Sequence, residues 1–347
     1  MSLYRTDESP LPATPTAARQ TERPLLARVA ENIFWTARYV ERAEHLARGT
    51  LVTTQLASDA GDLDDRLRDQ LWHGLLEAFD LVEPAVELGE TLGDAVVRYV
   101  LTDADNPTSA CTCVARAREN ARAVRGEISL EMWQTLNEFY WSLEGGGRNE
   151  GAGLILAESA ETLLQHLVRS SMHFQGVTDQ TLAHNRRWDF ALTGRLLERA
   201  DASCRLLLAR VELLAKAGES LETPLRNIQL MAALRMCGSI EAYRRQHANN
   251  LSIEQVVGFL LLRADHPRSI RFAIASARRA VARIHGESGP GLGHLDEAER
   301  LLGRMATRLE YADLSEVAHD GGRETLTDVR RCVAQANAAL QQRYFAG

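Results

Sequence analysis

One seven-residue pattern occurs twice in this chain, and both copies put charges into its most apolar helical stretches. Arg38-Tyr39-Val40-Glu41-Arg42-Ala43-Glu44 is matched by Arg195-Leu196-Leu197-Glu198-Arg199-Ala200-Asp201, and each copy is followed by another arginine, Arg48 or Arg205. A second match pairs Asp105-Asn106-Pro107-Thr108-Ser109 with Asp265-His266-Pro267-Arg268-Ser269. Its spacing differs from the first by three residues, as one short insertion would produce. Between them, Trp72, Leu75 and Leu76 fall near Leu230, Ala233 and Leu234. Three landmarks in one order point to tandem duplication of a whole folding unit.

The pattern from Leu25 onward is helical almost throughout. Apolar residues recur at three and four, Gly and Pro mark boundaries, and no stretch alternates in the β manner. The expected fold is therefore all-α, a multi-helix bundle built from two tandem pseudo-symmetric helical repeats, about 25–180 and about 181–345. Residues 1–24 hold Pro10, Pro12, Pro15 and Pro24 among Thr, Ser and Arg, the composition of a disordered tail. Helix breaks are expected at 60–62, 103–106, 144–153 and 286–293. The glycine-rich run Gly145–Gly151 resembles a phosphate-cradling loop only in composition; no strand precedes it, so it reads as a connector. Pro107 and Pro267 each suit the first position of a helix, with Ser109 and Ser269 in the first turn and Asp105 and Asp265 just outside its positive end.

Composition removes several classes of function. A net charge of −7 gives no overall basic field for nucleic acid. Lys216 is the only lysine, so P-loop and Ser-x-x-Lys chemistry are absent. Five cysteines (Cys111, Cys113, Cys204, Cys237, Cys332) are odd in number and lack zinc-site spacing. They read as small buried thiols, which fits a reducing cytoplasm. No apolar run is long enough to span a bilayer, so a cytoplasmic location without membrane contact is expected.

On a helical wheel, residues 25–56 give one apolar stripe: Leu26, Val29, Ile33, Ala37, Val40, Ala47 and Leu51. Glu44 falls inside it, and Glu41 and Arg48 flank it. The opposite side is not polar either, carrying Trp35, Tyr39 and Leu46 with Arg42 among them. The second copy repeats this, with Leu192, Leu196 and Ser203 around Arg199. A helix apolar on two sides is normally central in its bundle, so these charges are expected to be enclosed. Within one turn, Arg38 can reach Glu41, Glu44 can reach Arg48, and Asp201 can reach Arg205.

Two arrangements follow. The duplicated helices can face each other across a pseudo-twofold axis and cross-link through their Glu-Arg pairs. Alternatively, the cluster can line a polar pocket whose guanidiniums grip a carboxylate or phosphate. The candidate binding residues are Arg38, Glu41, Arg42, Glu44, Arg195, Glu198, Arg199 and Asp201. A carboxylate desolvated beside another acid can also serve as a general base, which makes Glu41 and Glu198 the catalytic candidates. Glu41 and His45 have an acceptable ligand spacing, but Ala202 stands where His45 would repeat and no paired Glu-x-x-His motif occurs. No metal centre is expected. A third cluster, Arg118, Glu119, Asn120 and Arg122 with Trp133 and Asn137, is a secondary candidate. Its Glu119, Asn120 and Arg122 point away from the apolar stripe of Val114, Ala117, Ala121 and Val124.

Taken together, the segments 28–48, 106–125, 192–208 and 266–274 resemble the bacterial alpha-E family, a helical domain named for its Glu-Arg motif. The likeness runs in order from Leu25 to about Leu340. Family members commonly begin near the first Glu-Arg helix and carry Gly where Ala37 stands; Gly194 retains it in the second copy. The resemblance implies a partner set: a circularly permuted ATP-grasp ligase and often a transglutaminase-like peptidase, in ATP-dependent peptide or amide-bond formation. ATP and magnesium are then expected on the ligase, with no cofactor on this chain. The leading expectation is an accessory partner whose cluster binds an acidic peptide, a small acidic molecule or a phosphorylated intermediate, or shapes the contact with the ligase. The alternatives are an enzyme in its own right using Glu41 or Glu198, and a purely structural scaffold.

Overall fold

The two Glu-Arg segments form the longest helices of the described residues, α1 (Ala27–Ala60) and α7 (Arg186–Ala217). A computed structural model describes residues 25–60, 65–103, 105–147, 152–217, 223–247, 250–286, 296–318 and 320–346. The expected tail 1–24, and the breaks at 61–62, 148–151 and 287–293, lie outside them, while 144–147 and 152–153, expected as part of a break, are helical. From Val29 to Ala57 no residue of α1 is exposed, nor is any from Asn185 to Leu214. Both helices are apolar on two sides because both are wrapped by others, as the wheel requires.

α2 (Asp65–Ala78), α3 (Leu92–Leu101), α4 (Ala110–Ala123), α5 (Leu130–Gly147) and α6 (Ala152–Thr181) follow α1. α7 is followed by α8 (Thr223–Met236), α9 (Ile240–His247), α10 (Ile253–Leu262), α11 (Ile270–Gly286), α12 (Glu297–Glu310), α13 (Leu314–Ala318) and α14 (Arg323–Leu340). A 3-10 turn spans Arg125–Glu127, a π turn closes the chain at Gln341–Phe345, and no strand occurs among the described residues. The fold is all-α. α1 packs most extensively along α7, with α4 and α6 on its other sides, while α7 takes α11 and α14. Trp72, Leu75 and Leu76 of α2 and Leu230, Ala233 and Leu234 of α8 are all buried, and α2 and α8 each touch both central helices.

The apolar interior divides in two. One core gathers Val40, Ala47 and Val52 of α1 with α2–α6 and with Leu206 of α7 and Met236 of α8; the other gathers most of α7–α14 with Val29, Ile33 and Phe34 from the start of α1. The first turns of α1 thus belong to one core and its later turns to the other. The Glu-Arg segment lies where they meet. The backbones of α1 and α7 approach closely at Gly194, where an added Cβ would stand 2.3 Å from the Phe34 carbonyl oxygen.

The Pro-Ser helix starts are shifted from expectation. Ser109 is the N-cap of α4, accepting from the Thr112 amide at 3.3 Å, and Ser269 accepts from the Phe272 amide at 3.1 Å before α11. The prolines therefore sit ahead of the helices rather than at their first positions. A tight turn fills the gap: the Ser109 amide donates to the Asn106 carbonyl at 3.0 Å, as Ser269 does to His266 at 2.9 Å. The serine cap satisfies a free helical amide, which a proline cannot do.

Candidate functional site

The two copies of Glu-Arg bind each other reciprocally. Arg199 on α7 donates from Nε and Nη2 to the two oxygens of Glu41 on α1, at 2.6 and 3.0 Å. Arg42 on α1 donates in the same bidentate way to Glu198 on α7, at 2.6 and 3.0 Å. Such forks fix orientation as well as charge. Glu41 and Glu198 are buried, so each pair stands in the seam between the cores. This is the cross-linking arrangement.

Around it the copies diverge. Arg38 reaches across to Glu198 at 2.7 Å and to Asn337 at 2.7 Å, rather than back to Glu41 within its own turn. Arg195, its counterpart, bonds Asp179 of α6 at 3.1 Å. The in-helix pairs expected of the other acids are present: Arg48 with Glu44, and Arg205 with Asp201 at 2.7 Å. Glu44, fully buried, also takes two bonds from Arg268 at 2.9 Å, whereas Thr108 stands at the equivalent place in the first landmark. Asp201 instead receives Arg330, which also reaches Asp80. Gln175 of α6 joins the first pair, donating to Glu41 at 2.6 Å.

Electrostatics decide what these carboxylates can do. Burial by itself would raise their pKa values, but the guanidiniums reverse that. Against burial, Arg199 holds Glu41 well below the ordinary carboxylate range, with help from His45 and Arg268. Arg268 and neighbours bring Glu44 to about 2, and Arg38 and Arg42 bring Glu198 to about 2. A general base works best near the operating pH. Glu41 and Glu198 are instead strongly held anions with their oxygens occupied, so the geometry argues against their catalytic candidacy. Cys113, Cys204, Cys237 and Cys332 are the small buried thiols expected, with burial raising Cys113 and Cys237 to about 12, whereas Cys111 is only half-buried.

His45 is buried at the centre, with Nε2 3.2 Å from Glu41 Oε1 but neither ring nitrogen in a well-aligned hydrogen bond. Glu41, Glu44 and His45 bring ligand atoms within 4.8 Å of one another, a spacing a metal ion accepts. The chemistry does not fit. Arg199, Arg48 and Arg268 already hold both carboxylates, and an entering cation would meet three guanidiniums.

A cleft of about 590 Å³ opens beside the cross-link, between α6, α7 and α11. Five arginines line it: Arg195, Arg199, Arg268, Arg279 and Arg283. Trp188, Leu192 and Phe272 give it an apolar wall. Arg279 donates to Ser276 Oγ at 2.8 Å and has no carboxylate partner among the described residues, and the buried Nε of Arg195 has no acceptor. A smaller cleft of about 310 Å³ holds Arg42, His45, Glu198 and Asp201 with Arg205 and Asp80.

The site therefore gathers all eight candidate binding residues around one helix pair, with Arg195 on the cleft wall. Sequence reasoning missed Gln175, Asp179, Arg279 and Arg283, and took Arg268 only for a helix-start residue. The one available signal was Arg268 itself, a charge in the second landmark where the first has Thr108. The secondary cluster is separate. Arg118 donates to Asn137 at 2.8 Å and lies over Trp133, Tyr140 and Trp141. Glu119 bridges Arg118 and Arg122 at an exposed edge, and Asn120 is half-buried. Among the described residues Arg118 makes no hydrogen bond or ion pair with the Glu-Arg pairs.

A family model described as a predicted alpha-helical domain with a conserved ER motif matches residues 25–345. An uncharacterized protein of Mycobacterium bovis is 27% identical over 326 residues, covering 87% of this chain and 34% of that protein. An uncharacterized protein of Mycobacterium tuberculosis is 26% identical over 326 residues with the same shares covered. The chain spans about a third of the length of the curated relatives it matches. No solved structure matches it. No helix among the described residues is long and apolar enough to cross a membrane.

Proposed function

The chain belongs to the Alpha-E family, and we propose that it is an accessory helical module holding an anionic ligand for a circularly permuted ATP-grasp ligase. The ligand is an acidic peptide or a phosphorylated intermediate, and the reaction is ATP-dependent peptide or amide-bond formation. ATP and magnesium belong to the ligase, and a transglutaminase-like peptidase is a second partner. One observation carries the binding part of this reading: an arginine-lined cleft beside a seam already rich in guanidinium. Arginine forks recognise carboxylates and phosphates bidentately, and a low-dielectric wall strengthens each contact. The partnership draws support from the relatives. In them the matched segment is joined to about twice its length of further chain, as expected of a module that acts with other domains.

In this reading the Glu-Arg cross-link is the frame and the cleft is the site. Reciprocal pairing of Glu41 with Arg199 and of Arg42 with Glu198 also supports descent from a duplicated unit. Reconstitution tests the function. Ligase, ATP, magnesium and candidate acidic peptides should yield product only when this chain is added, and Arg279→Gln should lower the yield without changing Tm. Equal product without the chain would refute the accessory role. Turnover by the chain alone would favour an enzyme, and binding of the ligase with no response to any anion would favour a scaffold.

A further inference from the structure

We infer that the cleft between α6, α7 and α11 takes a phosphoryl dianion carried on an apolar body. This rests on the ligand-binding reading above and narrows it to one chemical class.

The argument begins with charge. Arg48 shares Glu44 with Arg268, and it touches the cleft residue Met172 at 3.7 Å. Counted with the five lining arginines, six guanidiniums face four carboxylates. Arg199 is matched by Glu41, Arg195 by Asp179 and Arg283 by Asp189, while Arg48 and Arg268 divide Glu44 between them. Arg279 has none. The excess is two positive charges, one shared by the half-buried Arg48 and Arg268 and one on the exposed Arg279, and a monocarboxylate would answer only half of it. A phosphoryl group near neutral pH carries almost two negative charges on three acceptor oxygens clustered at one centre.

Donor geometry points the same way. Arg199 spends Nε and Nη2 on Glu41, with further bonds from Nη2 to Gln175 Oε1 at 3.4 Å and from Nη1 to the Pro267 carbonyl at 3.2 Å, and Arg268 spends both terminal nitrogens on Glu44. Each terminal nitrogen of Arg268 keeps a second hydrogen, and Arg199 keeps one on Nη1. Arg279 commits only Nη2, to Ser276. The remaining hydrogens belong to different guanidiniums around one cleft, a set suited to an acceptor with oxygens in several directions. The ligand also has a body: Trp188, Leu192 and Phe272 line the same space, and apolar area buried there adds affinity that a bare ion cannot collect.

Phenyl phosphate, inorganic phosphate, benzoate and glutarate are the probes, each titrated calorimetrically into the full chain at constant ionic strength. Phenyl phosphate should bind about tenfold tighter than inorganic phosphate through the apolar wall. It should bind at least about thirtyfold tighter than benzoate through the second charge. Its affinity should fall about tenfold as pH drops from 7 to 5, because the phosphoryl group gains its second proton near pH 6. Arg279→Gln, which breaks no ion pair, should weaken binding about tenfold, while Arg331→Gln on α14 should not. Equal affinity for benzoate and phenyl phosphate, a flat pH profile, or an unaffected Arg279→Gln variant would overturn the dianion. Glutarate tighter than phenyl phosphate would also overturn it while leaving an acidic-ligand function standing. Binding of no probe, together with a full reconstituted requirement for the chain, would likewise separate the two claims.

Discussion

Replacing Glu198 with glutamine keeps the side chain's size and removes only its charge, leaving Arg38 and Arg42 without their shared carboxylate. The magnitude follows from the site. Despite burial, Arg38 and Arg42 lower the Glu198 carboxyl from 4.5 to about 2. At roughly 1.4 kcal/mol per unit, that shift from the unfolded value makes the ionised Glu198 stabilise the folded protein by about 3 kcal/mol at pH 7 relative to a neutral side chain. The folded pKa lies below the unfolded one, so this stabilisation is fully present above about pH 4.5 and is lost as pH falls towards 2. Glutamine mimics the protonated acid at every pH. Urea unfolding followed by circular dichroism should therefore find Glu198→Gln less stable by about 3 kcal/mol at pH 7. By pH 3 the difference should shrink to about half. A gap below about 1 kcal/mol at pH 7, or one that stays constant down to pH 3, would refute the reasoning.

Three other outcomes follow. Gly194→Ala forces a methyl against the Phe34 carbonyl oxygen at 2.3 Å; prying α1 from α7 should cost about 1–3 kcal/mol, read as a lower Tm, and an unchanged Tm would contradict the close crossing. Arg210 is buried, bonded to Gln229 and Met236 with no carboxylate partner among the described residues, and burial lowers it to about 10. Arg210→Met should raise stability by about 1–3 kcal/mol at all pH values below about 10, where the cation persists, as denaturant titration would report. Cys113, Cys204 and Cys237 should resist a thiol reagent in the native chain and react once urea unfolds it, since burial raises all three thiols.

Helix burial was readable in the sequence because periodicity reports it directly: Val29, Ile33, Val40 and Ala47 lie on one face, and Leu46 opposite is buried too. The pairs Glu44–Arg48 and Asp201–Arg205 were readable for the same reason, since four residues along a helix bring side chains together whatever surrounds them. Arg38 was not. Its choice of Glu198 over Glu41 depends on how α1 and α7 rotate and cross, and spacing carries no information about either. Gln175 and Asp179 are ordinary polar residues on α6 until that helix docks against the pair. Arg279 and Arg283 look like the solvated side of α11 until the cleft appears. The Ser109 and Ser269 caps show a smaller gap: the motif located the helix start to within a few residues, but the turn from Asn106 to Ser109 decided which residue begins it.

A double-mutant cycle on Glu41→Gln and Arg199→Gln tests the cross-link most directly, by urea unfolding of the wild type, both single variants and the double. The buried bidentate pair predicts that each single change costs about 3–5 kcal/mol by stranding its partner. The double should then lose at least about 2 kcal/mol less than the two losses added together. Additivity within about 0.5 kcal/mol would mean that the two side chains do not meet inside the protein, and the Glu-Arg seam would have to be abandoned.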